Sequence, residues 1–74
     1  MSQRREMVKV FKEARKQGLT TEFLSNGHVK VTRFDENGNK ISSVQVAESP
    51  NSPRGVLNNI ARMRAKVDFV WKGH

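Results

Sequence analysis

The sequence predicts an α+β domain in the order helix, three antiparallel strands, helix, with both helices packed on one face of a meander. Three observations carry that prediction. Two Asn-Gly pairs, Asn26-Gly27 and Asn37-Gly38, bracket the alternating run His28-Val29-Lys30-Val31-Thr32-Arg33-Phe34. The stretches before and after the meander repeat their apolar residues at the 3.6-residue period of a helix. Those two amphipathic helices have only one apolar sheet face on which to bury themselves.

Residues 2 to 17 form the first helix, because Met7, Val10, Phe11 and Ala14 follow the i, i+3, i+4, i+7 rule of a single buried face. Ser2 can cap its start, and Gly18 stands just beyond its last turn. On the opposite side Arg5, Lys9, Lys12 and Lys16 recur at helical spacing, and Glu13 lies within reach of three of them. This ridge is either a solvated face or a phosphate-contacting one.

The meander spans 19–48. Asn-Gly suits a two-residue hairpin, since both central positions require positive φ, which Gly and Asn tolerate best. Residues 28–36 then read as the middle strand, flanked by Thr20–Ser25 and Asn39–Ala47. Two-residue loops place Leu24 opposite Val29, Val29 opposite Val46 and Val31 opposite Val44. Leu24, Val29, Val31, Val44 and Val46 become the core face. Phe23, Ser25, His28, Lys30, Thr32, Phe34, Ile41, Ser43 and Gln45 become the open face, with Ser25 and Ala47 as cross-strand neighbours of His28.

The second helix begins at Ser52-Pro53, a hydroxyl cap followed by the residue that loses nothing at the first helical position. It follows a loop, so 49–67 contains loop and helix. Val56, Leu57, Ile60, Met63 and Val67 are its expected core residues, and Arg54, Asn58 and Arg62 form a separate polar ridge. The tail 68–74 has two readings: it prolongs the helix, or it lies extended and closes the core with Phe69 or Trp71. Packing is the expected role of Trp71, and base stacking is the alternative. The whole chain, 1–74, reads as one domain.

Composition narrows the function. Fourteen Lys plus Arg stand against seven Asp plus Glu, a formal charge of +7. The pI near 10.6 makes nucleic acid the leading partner. The chain has no cysteine, which excludes disulfides and thiolate metal sites. One internal histidine and scattered carboxylates give no metal-ligand spacing, and no Gly-rich phosphate loop or cofactor motif is present. No apolar run approaches a membrane span, and Met1-Ser2-Gln3-Arg4-Arg5 lacks the apolar segment of a secretory signal, so a cytoplasmic protein is expected.

Helices on one side of a meander and an open sheet on the other is the layout of double-stranded-RNA-binding domains. Within that layout, two stretches resemble the HicA-like proteins, the mRNA-interferase toxins and their phage-encoded relatives. Gly27-His28-Val29-Lys30-Val31 is similar to the Gly-His turn that opens their second strand. Ser49-Pro50-Asn51-Ser52-Pro53-Arg54-Gly55-Val56-Leu57-Asn58 resembles their Thr-Pro-Ser-Asp-x-Arg-Ala-x-x-Asn segment, with Ser49 for Thr, Ser52 for Asp and Gly55 for Ala. The toxins have a Pro-His pair after the third strand, where this chain has Ser49-Pro50.

The resemblance implies an RNA-binding protein and, where the family chemistry is retained, a metal-independent endoribonuclease with His28 as its catalytic residue. Histidine suits such proton transfer because both of its forms are populated near neutrality, and a cation such as Lys30 or Arg54 can stabilise charge on phosphate. RNA is the expected partner, contacted by Arg5, Lys9, Lys12, Lys16, Lys30, Arg54, Asn58 and Arg62. The resemblance also allows an antitoxin partner. The competing reading, of another class, is a phage-type inhibitor whose basic surface docks on an acidic host protein. Neither reading requires a cofactor.

Overall fold

Helix α1 (Arg4–Lys16), strands β1 (Leu19–Phe23), β2 (His28–Phe34) and β3 (Lys40–Ala47), and helix α2 (Pro53–Val67) follow one another in the computed structural model, which describes residues 4–71. The strands form one antiparallel sheet in the order β1-β2-β3, and both helices pack on one of its faces. This is the predicted α+β architecture, with the α-β-β-β-α topology of double-stranded-RNA-binding domains. Among the described residues no helix is long and apolar enough to cross a membrane. The proposed cap Ser2 and the terminal His74 lie outside the described residues.

Helix α1 buries the four residues its periodicity selects, Met7, Val10, Phe11 and Ala14. It stops where Gly18 turns left-handed at φ +85° and donates its N–H to the Arg15 carbonyl. Helix α2 starts as expected: Ser52 Oγ accepts the Gly55 N–H at 3.2 Å, with Pro53 in the first turn. Its buried residues differ from the expected set. Val56, Met63 and Val67 are buried and Ile60 packs against the core, but Leu57 is 64% exposed and Asn59 takes its place inside. The side chain of Asn59 remains satisfied there, donating to the Ala47 carbonyl at 3.0 Å and lying 3.5 Å from Met7 Sδ. The buried face is thus shifted toward Asn59 by less than one residue's turn, which leaves Leu57, on its other flank, outside.

The first hairpin corrects the expected register. Leu24 donates its N–H to the His28 carbonyl at 2.8 Å, so the loop is Ser25-Asn26-Gly27, three residues rather than two. Only Gly27 is left-handed, at φ +81°, the geometry of a type I turn followed by a glycine bulge. Phe23, not Leu24, therefore pairs with Val29, and every β1 side chain changes face. Leu19 and Phe23 join the helix side, where the Phe23 ring meets Phe11 edge-on at 5.8 Å.

The second hairpin has the same three-residue loop, Glu36-Asn37-Gly38, closed by Asp35 and Asn39. Here a register shift between Arg33 and Phe34 leaves Ile41 unpaired, and the extra residue restores Val29↔Val46 and Val31↔Val44. Thr32, expected on a solvent-facing surface, is only 7% exposed. It sits in the central strand, flanked by Thr20 and Ser43 on the two neighbouring strands, and its side chain is short.

The tail leaves the helix rather than prolonging it. Asp68 is left-handed at φ 54° and returns its N–H to the Met63 carbonyl, which ends α2 at Val67. Arg33 donates Nε to the Val67 carbonyl at 2.6 Å and Nη2 to that of Asp68 at 3.4 Å. Beyond the cap, Phe69 is 1% exposed and closes the core, with Trp71 half-buried and stacked on it at 6.2 Å.

Candidate nucleic-acid interface

The two helices run roughly parallel. Met7 near the start of α1 meets Asn59 in the first half of α2, and Gln17 just past α1 meets Val70 just past α2. Both helix N-termini consequently lie at one end of the molecule, with the backbone N–H groups and partial positive charge that favour anions there. The β1–β2 turn and the β3–α2 loop close the same end: Glu48 donates its N–H to the Gly27 carbonyl at 3.1 Å, and its carboxylate lies 3.4 Å from Arg4. Gly55 fits because Pro50 is packed on the first turn of α2. A Cβ at position 55 would come within 2.7 Å of Pro50 Cβ, so the glycine found where the resembling segment has alanine answers to local packing.

Charge is divided by layer. Helix α1 carries six Lys/Arg (Arg4, Arg5, Lys9, Lys12, Arg15, Lys16) and two Glu, and α2 carries Arg54, Arg62, Arg64 and Lys66 with no acid. The helices thus hold +8 of a chain whose net charge is +7, and the rest of the molecule is close to neutral. All four members of the α1 ridge, Arg5, Lys9, Lys12 and Lys16, are exposed. The ridge's ion pair among the described residues is made by Glu6 rather than Glu13, 3.6 Å from Lys9 in an exposed pair that costs little to open. On α2, Asn58 and Arg62 line a shallow cleft against Ala47 and Pro50, and Arg54 is exposed in the helix's first turn.

His28 and Lys30 occupy another surface. Both project from the open face of the sheet, with His28 exposed opposite Ala47 and Lys30 between Glu22 and Gln45. The other neighbour of His28 is Leu24 rather than Ser25, through the backbone bond that closes the turn. The His28 N–H is held by Asn26 Oδ1 at 3.2 Å. Among the described residues no side chain is hydrogen-bonded to its imidazole. Of the sequence-derived site residues, then, the helix ridges share one layer and the His28–Lys30 pair lies across the sheet from them. The two sets approach each other only at the end where the helices begin.

Sequence reasoning passed over Arg4, Arg15, Arg64 and Lys66, whose exposure on the same layer follows from the burial of the opposite helix face. Arg15 donates to Thr21 Oγ1 at 3.1 Å, so part of its charge is used in joining α1 to β1. Among the described residues no group of His, Asp or Glu is placed to hold a metal ion. Comparison with family models, with curated proteins and with solved structures finds no match to this chain.

Proposed function

We propose that this protein is a small RNA-binding module of the HicA-like type, with its helical layer laid on the phosphate backbone. The observation that carries the proposal is the segregation of charge: ten Lys/Arg and two Glu on the helices, with both N-termini at one end. Such a surface attracts polyphosphate without reading sequence. Cleavage is secondary in this reading. His28 has no hydrogen-bonded partner for its imidazole among the described residues, and the phosphate-binding ridges lie on the other side of the sheet from His28 and Lys30.

The test is one gel with structured and single-stranded RNA, comparing wild type with His28→Ala for binding and cleavage. A salt-sensitive shift that His28→Ala leaves intact, with neither protein cutting, is the expected result. General acid–base catalysis contributes about 10²–10⁴-fold, so cleavage by wild type that vanishes in His28→Ala would instead make the protein an interferase. Absence of any RNA shift would move the basic face to an acidic protein partner.

A further inference from the structure

A second cleft lies at the far end of the helices, away from their N-termini, lined by Ile60, Arg64, Asp68, Phe69, Val70 and Trp71. Its walls are held from three sides. Arg33 grips the carbonyls of Val67 and Asp68. The Gln17 amide donates to the Val70 carbonyl at 2.6 Å and accepts the Val70 N–H at 3.0 Å, which fastens the tail to the end of α1. Phe69 is buried beneath, with its ring stacked on that of Trp71. Residues 68–71 are therefore fixed in place, and a fixed site loses little ordering entropy when it binds.

The cleft combines three chemistries. Trp71 offers a half-buried indole supported by a second ring, which is a stacking platform. Arg64 brings a guanidinium and Asp68 a carboxylate, and both side chains are exposed, with no ion pair to either among the described residues. A ligand that satisfies all three is flat and aromatic, presents two adjacent N–H donors, and carries a negative group. Guanine nucleotides have this combination: N1–H and the N2 amino group can both donate to one carboxylate, and the phosphate can reach Arg64. Adenine and cytosine present an acceptor where guanine has N1–H.

We propose that this cleft binds a guanine nucleotide, with the base stacked on Trp71, its Watson–Crick edge on Asp68 and its phosphate on Arg64. The site is independent of the phosphate-binding ridges, which lie on other surfaces of the helices. The ligand is either a free nucleotide or an unpaired guanosine of RNA, since both present the same edge and phosphate.

Trp71 is the only tryptophan in the chain, so its fluorescence reports the site directly. The full protein would be titrated with GMP, AMP and CMP, and with short single-stranded RNAs containing one guanosine or none, correcting for absorbance. Saturable quenching with about a tenfold preference for guanine is expected, the scale of one charged hydrogen bond in an open cleft. Saturation by GMP assigns a free nucleotide, and saturation only by the guanosine-containing RNA assigns an RNA base. Asp68→Asn should remove the preference without unfolding the chain, because asparagine tolerates the left-handed conformation at position 68. Quenching that fails to saturate, treats all bases alike or keeps its preference in Asp68→Asn would overturn the assignment.

Discussion

Asn59 shows most sharply how one residue sets the position of an element. In sequence it belongs to the polar side of α2, and Leu57 has the stronger claim to the core. The structure reverses the two because the Asn59 amide reaches the Ala47 carbonyl at the end of β3, a partner that helical periodicity does not reveal. Replacing Asn59 by alanine removes that donor and leaves a half-buried acceptor unpaired. The expected loss is about 1–3 kcal/mol, reduced by several tenths through the better helix propensity of alanine. At about 4–8 °C per kcal/mol for a chain of this size, the thermal midpoint should fall visibly in a melt followed by circular dichroism. An unchanged midpoint would mean that water replaces the amide without cost.

The hairpins are decided at the level of the element. Both use a three-residue loop with a left-handed glycine, yet only the β2–β3 ladder has a further bulge, at Ile41, to offset it. Asp35 organises that second loop: its Oδ1 accepts the N–H of Asn39 at 2.8 Å and of Asn37 at 2.9 Å. These bonds favour the ionised form, the Asn39 N–H most of all, and hold the carboxyl below its ordinary 3.8. A carboxyl lowered on folding stabilises the fold above its unfolded pKa, and that contribution disappears as pH falls through the lower folded value. Asp35→Ala should therefore lower the thermal midpoint at pH 7, and its gap from wild type should narrow as pH falls below 3.8. Asp35→Asn keeps an acceptor for the loop and should remove the pH dependence first. A gap constant from pH 7 to pH 2 would refute this account of the turn.

For the molecule as a whole, parallel packing of the helices matters most. It gathers both positive helix ends, and it puts the cations of α1 and α2 on one layer, while the strands and loops together sum to nearly zero. If this layer binds RNA through phosphate, log affinity falls linearly with log salt. Reversing Lys9 and Lys12 to Glu should then lower the slope by roughly one for each phosphate left without its cation. Both residues are exposed on α1, so the thermal transition should scarcely move. A slope unaltered by the double substitution would remove α1 from the binding surface.

Local sequence pattern determined the element order, the buried face of α1 and the cap of α2. These follow from local rules: a repeat of 3.6 or 2, a hydroxyl before proline, a glycine at a turn. The expected pairing of Val29 with Val46 and Val31 with Val44 holds because the extra residue Ile41 offsets a loop one residue longer than expected. Tertiary structure alone decided the rest. Whether an Asn-Gly pair closes a two- or three-residue loop depends on the twist and neighbours of the strands it joins, and one residue of slip moved Leu24 off the core face and Phe23 onto it. Thr32 is flanked by residues from two other strands, and Phe69 closes the core only because Asp68 turns the chain back. Strand alternation already put His28 and Lys30 on the face away from the helices, whereas the gathering of both helix N-termini at one end was beyond the sequence. A face is a local property of one strand or helix, whereas a site requires faces from several elements to meet, and that is set by how the layers pack.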